Sequence, residues 1–296
     1  MSQLIQMRQR IRAIETIKKI THAMQLISMS LHTRLQKQTV SRDAYRHNLL
    51  DMLQIASQAK NNPKIDTHQA VINNKQLLII IGAQKGLCGN FDAEILRFID
   101  HNSISGRDQT FSSNLITYEI ICVGSKKITQ ELRKRNLNIV QEYSNLKISS
   151  LASISHDIFN FISKNQTNYQ LVTSFNNKSE TFFLNKPVKT EIYPIATNLS
   201  KSKNNPPETN LISNYSEYIW DSSPQEIYTC LLERYLNYTV QSVLFDSLLA
   251  EQAARFRSMD TANRNASDLL EISYRDYNKL RQYKITKELI ELSAAF

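Results

Sequence analysis

The stretch from Phe245 to Leu280, FDSLLAEQAARFRSMDTANRNASDLLEISYRDYNKL, decides the fold. Alternating steps of four and three from Phe245 visit Leu249, Gln252, Phe256, Met259, Asn263, Ala266, Leu270, Ser273, Tyr277 and Leu280. That is the 3.5-residue spacing of a helix packed along another helix. Pro224 suits the first turn, behind Ser222 or Ser223 as cap, and neither glycine nor proline occurs beyond it. At 1.5 Å per residue the predicted helix is about 105 Å long. Gln252, Asn263 and Ser273 put polar groups in the seam, which lowers its stability and fixes register or partner choice.

A second stripe lies at the other end of the chain. Met7, Ile11, Ile14, Ile17, Ile20, Met24, Ile27, Leu31 and Leu35 recur in steps of three and four. They predict a helix running through Tyr45, Leu49 and Leu53 to near Ser57, ahead of Asn61-Asn62-Pro63. The economical cover for both stripes is an antiparallel two-helix coiled coil, with the intervening segment as a domain at one end. Dimerisation through separate coiled coils is the alternative.

Composition supports this layout. The 296 residues include 5 Gly and 6 Pro, where average usage gives on the order of 20 and 15. All the glycines lie between Gly82 and Gly124, and all the prolines between Pro63 and Pro224. An all-β sandwich, a collagen-like chain and a Pro/Gly-rich disordered chain are excluded. The longest apolar run, Leu77 to Ile81, is far short of the roughly 20 residues that span a bilayer. Met1-Ser2-Gln3 does not open a secretory signal. Cys88, Cys122 and Cys230 are odd in number and widely spaced, which points to a reducing compartment.

Charge is uneven. The net charge is +9, and up to position 42 eight Lys and Arg face one acid, Glu15. A basic helix of this kind suits nucleic acid, an anionic membrane or an acidic protein partner, and equally a solvated face.

Between Lys75 and Ile195 strands and helices alternate. QLLIII (Gln76 to Ile81) reads as a strand buried on both faces. Tyr118 to Val123, Tyr169 to Phe175 and Val188 to Ile195 read as further strands, with helices over 92–101, 126–136 and 151–163. This predicts parallel β-α-β units of Rossmann-like type. The boundaries are an N-terminal coiled-coil helix over 1–60, a central α/β domain over 75–196, a linker over 197–222 and a C-terminal coiled-coil helix over 223–296. The fold class is therefore mixed α/β and α+β.

The Gly-rich turn Gly82-Ala-Gln-Lys-Gly86-Leu-Cys-Gly89 sits where such a sheet binds phosphate. It has neither the Lys-Ser/Thr of a P-loop nor the spacing G-x-G-x-x-G, and reads more simply as a tight turn needing positive φ. The six histidines are scattered, with no zinc spacing. Cys88 reads as a small buried residue rather than an activated thiol. No metal, cofactor or catalytic constellation is expected.

Three blocks resemble the gamma subunit family of F-type ATP synthases, in that family's order. Lys19-Ile-Thr-His-Ala-Met24 is similar to its K-I-T-x-A-M. Gly86-Leu87-Cys88-Gly89 is similar to its R-G-L-C-G, with Lys85 in the first place. The third block is Ser247-LLAEQAARFRSMDTANRN-Ala266, then Tyr277-Asn-Lys-x-Arg281-Gln282-x-x-Ile285-Thr286-x-Glu288-Leu289. The resemblance implies a non-catalytic central rotor stalk. The coiled coil would turn inside a hexamer of alpha and beta subunits, and the α/β domain would rest on the c-ring beside the epsilon subunit. Met24, Arg281, Gln282, Thr286 and Glu288 would contact beta subunits, and Lys85 to Gly89 would form a turn motif near the base. It also implies peripheral association with a membrane through the complex, no nucleic acid, and the cytoplasmic side of a bacterial inner membrane, with the mitochondrial matrix side second. Gln84-Lys85 departs from the family's Asp-Arg, Asn90 replaces a glycine, and Lys284 and Lys287 add charge at the C-terminal end. The other readings are a basic coiled-coil scaffold or nucleic-acid binder, and a nucleotide-using α/β enzyme.

Overall fold

The computed structural model describes residues 2–59, 75–101, 117–135, 137–165, 168–194 and 221–294. Asn61-Asn62-Pro63 and the expected linker up to residue 220 lie outside them. The chain forms two units: Met1–His32 with Leu87–Gly89 and Gln252–Phe296, and Thr33–Gly86 with Asn90–Glu251. Two long helices contribute to both, α1 (Ser2–Ala59) and the last helix, α5 (Pro224–Ala294). Ser223 caps α5: its Oγ accepts the Glu226 N–H at 3.3 Å, so the first turn falls where Pro224 placed it.

The larger unit is built on a five-stranded sheet in the order β3-β2-β1-β4-β5. Its elements are β1 (Lys75–Ile81), α2 (Phe91–Ile99), β2 (Thr117–Val123), α3 (Lys126–Lys134), β3 (Asn138–Tyr143), α4 (Leu151–Lys164), β4 (Leu171–Thr181) and β5 (Leu184–Tyr193). The first four strands are parallel, with Leu78 opposite Ile120 on one side and Thr173 on the other.

Two features depart from the sequence reading. β5 is not a further parallel strand: it turns straight back from β4, with Thr181 opposite Leu184. β3, an edge strand, was not expected at all. Its sequence NIVQEY alternates exposed with half-buried positions, so it carries too few apolar residues to stand out. β4 runs past the apolar signal because Asn176 and Asn177 are buried within it. The backbone ladder carries the strand where hydrophobicity stops.

β1 is buried on both faces, as its apolar run demands. Leu77, Ile79 and Ile81 join Leu35, Leu49 and Leu53 of α1, Ile154, Ile158 and Ile162 of α4, and α5 from Tyr228 to Leu248 in one hydrophobic core. Leu78 and Ile80 point to the opposite face, by the strand period of two, and are equally buried. The lower stretches of both long helices therefore belong to the same packed body as the sheet.

At the N-terminal ends of the strands, Tyr169 donates its hydroxyl to Glu119 at 2.5 Å, and Lys75 Nζ lies 3.0 Å from the same carboxylate. The Tyr169 hydrogen bond, then Lys75, hold the Glu119 carboxyl below the usual carboxylate range. Because the folded-state value is the lower one, this stability is present above the unfolded pKa and is lost as pH falls through the folded one. Glu119→Gln is expected to flatten the acid limb of the stability curve between about pH 5 and pH 3. Urea midpoints across that range measure it; an acid limb as steep as in the unsubstituted chain contradicts it.

In the smaller unit, Arg8 donates to Tyr277 at 2.9 Å, Tyr274 to Glu15 at 2.6 Å and Gln25 to Asp260 at 2.9 Å. Partner numbers fall as α1 numbers rise, so the helices run antiparallel. Every α5 seam position from Phe245 to Leu280 is buried or half-buried. The α1 stripe is corrected. Ile17, Ile20 and Ile27 are more than half exposed; Met24 and Leu31 are half-buried, and beside them runs the covered line of Met7, Ile11, Ile14, Lys18, Thr21, Gln25, Ser28, His32 and Leu35. These keep strict steps of four and three. Two successive steps of three from Ile14 swing Ile17 and Ile20 off that seam, because each three-residue step falls about 60° short of a full turn.

Candidate functional site

The turn after β1 is held by backbone and by one carboxylate. Gly82 N–H donates to Val123 O and Ser125 N–H to Ala83 O, both at 2.9 Å, and Asp92 Oδ1 accepts the Ala83 N–H at 2.7 Å. Burial pushes the Asp92 carboxyl up, against the opposing pull of that hydrogen bond and of Lys127. The Ala83 N–H is thus taken by Asp92 and the Gln84 N–H by Glu251, so neither is open to a phosphate. A Cβ on Gly82 would lie 2.5 Å from Ile128 Cδ1, and one on Gly124 3.0 Å from Ile128 Cγ2. These glycines let α3 approach the sheet.

Positive φ falls later in the turn, at Leu87 (70°) and Gly89 (63°). Lys85, Gly86 and Leu87 are exposed and Cys88 is buried. Leu87–Gly89 groups with the smaller unit. Gln84, singled out above as a departure, connects elements within the larger unit: its Oε1 accepts the Leu146 N–H at 2.8 Å and its own N–H donates to Glu251 Oε2 at 3.0 Å.

The proposed partner-contact residues of the smaller unit lie apart on two helices. Met24 is half-buried on α1, while Arg281, Gln282, Thr286 and Glu288 are exposed on the last turns of α5. Thr286 Oγ1 donates to Gln282 O at 3.0 Å. Arg281 and Glu288, seven residues apart, share a helix face. Glu288 lies 3.5 Å from Lys284, and Lys287 3.8 Å from Glu291, so the added lysines are answered by carboxylates one turn on. Around these polar groups stand Tyr283, Ile285, Leu289, Ile290 and Leu292, all roughly half exposed or more.

What sequence reasoning missed is an inverted pattern. From Lys18 to His32 the α1 half of the seam is polar, between apolar Ile11 and Ile14 on one side and Leu35 on the other, whereas Ile17, Ile20, Leu26, Ile27 and Met29 are exposed. The strict four-three count from Met7 would have found it. Exposed apolar side chains grouped on a helix pair mark an interaction surface. Among the described residues there is no group of His, Cys, Asp or Glu able to hold a metal ion, and no helix long and apolar enough to cross a membrane.

Comparison with known proteins agrees with these features. A family model described as ATP synthase matches residues 3–296. The chain is 29% identical to the ATP synthase gamma chain of Chlorobaculum parvum, covering 99% of this chain and 98% of that one. It is 30% identical to the ATP synthase gamma chain of Pelodictyon phaeoclathratiforme, covering 99% and 97%. A chain of the Euglena gracilis mitochondrial ATP synthase superposes with a TM-score of 0.66 at 15% identity, covering 99% of this chain and 93% of that one, which establishes likeness of fold. Matched nearly end to end in sequence and built as an antiparallel helix pair with a Rossmann-like sheet, the chain belongs to the ATP synthase gamma chain family.

Proposed function

We propose that the chain is the central rotor stalk of an F-type ATP synthase, carrying torque between a proton-driven c-ring and a catalytic hexamer of alpha and beta subunits. The observation that carries this reading is the outward apolar face of α1 together with the exposed apolar end of α5. A helix pair with polar residues in the middle of its seam and Ile17, Ile20 and Ile27 outside is suited to an enclosing sleeve. Rotation of an unequal surface gives each beta site different contacts in turn, and so a different nucleotide affinity. The chain itself is non-catalytic in this reading: it transmits a mechanical bias and handles no substrate. The sheet-bearing unit rests on the c-ring beside the epsilon subunit, and the complex holds the chain peripherally on the cytoplasmic side of a bacterial inner membrane. The bacterial relatives support that location.

Met24, Arg281, Gln282, Thr286 and Glu288 are the proposed beta contacts, and Lys85 to Gly89 the turn near the base. Exposure of all four α5 residues supports their assignment. Reconstitution with alpha and beta subunits tests the function: ATPase activity is expected to depend on addition of the chain, and full activity without it contradicts the reading. Arg281→Ala with Glu288→Ala is expected to lower coupled ATP synthesis several-fold in an assembled complex. Unchanged rate and coupling would remove both residues from the contact set.

A further inference from the structure

Within the sheet-bearing unit, α1, α4 and α5 bound a cleft of about 750 Å³ that neither the rotor reading nor the turn after β1 uses. Its size falls in the range of roughly 300–1,000 Å³ typical of small-molecule sites. Lys37, Arg42 and Arg234 line it, and no carboxylate does. Lys37 forms no ion pair among the described residues. Arg234 is exposed and forms no ion pair among the described residues. The Arg42 guanidinium lies 4.3 Å over the Phe245 ring and leaves Nη2 buried without a hydrogen-bond partner.

Asp43 and Asp246 draw on Arg42 from behind the wall, which leaves Lys37 and Arg234 as the two cations whose charge the carboxylate-free lining directs into the cleft. Arginine forks and a lysine ammonium are the groups that hold phosphate oxygens. The cleft also has an aromatic wall. Tyr45 is 47% exposed, and its ring centroid lies 5.2 Å from that of Tyr238, leaving a ring surface on which a planar base can stack. Asn237, also in the lining, has a buried Oδ1 without a donor. Phosphate-binding cations, an aromatic face and an amide acceptor in one nucleotide-sized space are complementary to a single class of ligand. We propose that this cleft binds a soluble organic phosphate of nucleotide size.

The test uses the isolated full chain, titrated with ATP and separately with inorganic pyrophosphate at about 0.1 M salt, a concentration that screens distant charges. Saturable binding of both is expected. Lys37→Gln with Arg234→Gln, both exposed positions, should weaken each by at least tenfold without changing the thermal melt. Tyr45→Leu should weaken ATP more than pyrophosphate, and Lys164→Gln, outside the cleft, should change neither. Absence of saturable binding at millimolar ligand, or binding indifferent to the double substitution, overturns the proposal. Equal loss of ATP and pyrophosphate in Tyr45→Leu overturns the nucleotide-sized part of it.

Discussion

Leu244→Ala is expected to lower the stability of the sheet-bearing unit by about 2–5 kcal/mol. Leu244 is completely buried, in the core that joins α1, α4, α5 and β1. Truncation removes the transfer free energy of the lost carbons and leaves a cavity that rigid neighbours on several elements cannot collapse to fill. Because that core ties the lower parts of both long helices to the sheet, the loss is expected to appear as one earlier cooperative transition. Denaturant unfolding followed by circular dichroism measures it. A change below about 1 kcal/mol contradicts the single shared core.

The second large effect is expected at Glu251. Its side chain is 2% exposed and accepts the Gln84 N–H, while one residue earlier Asn185 Nδ2 donates to Ala250 O at 2.8 Å. These bonds fix α5 to the turn after β1 and to β5. Glu251→Ala leaves the part-buried Gln84 N–H without its acceptor, which costs about 1–3 kcal/mol. Glu251→Gln keeps an acceptor oxygen and should recover a substantial share. Equal losses in the two variants would show that carboxylate charge, not the hydrogen bond, secures the turn. In the assembled complex Glu251→Ala should also reduce coupling of ATP synthesis to proton flow if, as the rotor reading implies, these bonds add to the shared core in holding α5 to the sheet under load.

The helices were legible because their residues repeat a simple period. The α5 seam was found position by position from Phe245 to Leu280, and Ser223 and Pro224 marked its start. The α1 seam is not legible for a physical reason: isoleucine ordinarily marks the inside, and this helix puts Ile17, Ile20 and Ile27 outside. In the sheet, the apolar run of β1 was plain, but β3 and the far half of β4 are held by backbone pairing and carry polar residues. The Gly82 turn shows the same limit. Sequence gave two possible uses for its glycines, and only the position of Ile128 reveals that Gly82 makes room for a helix. Gln84 looked like a departure from a family word, and it connects three elements that no local pattern brings together.

Rotation is the central claim, and the chain carries its own handle for observing it. Cys88 and Cys122 are buried and Cys230 is exposed. Burial also pushes the Cys122 thiol up to about 11, so a thiol reagent should mark Cys230 alone. With alpha and beta subunits immobilised and a visible marker on Cys230, addition of ATP is predicted to drive continuous rotation of the marker in one direction. ATP hydrolysis that proceeds at full rate while the marker stays still would contradict the account.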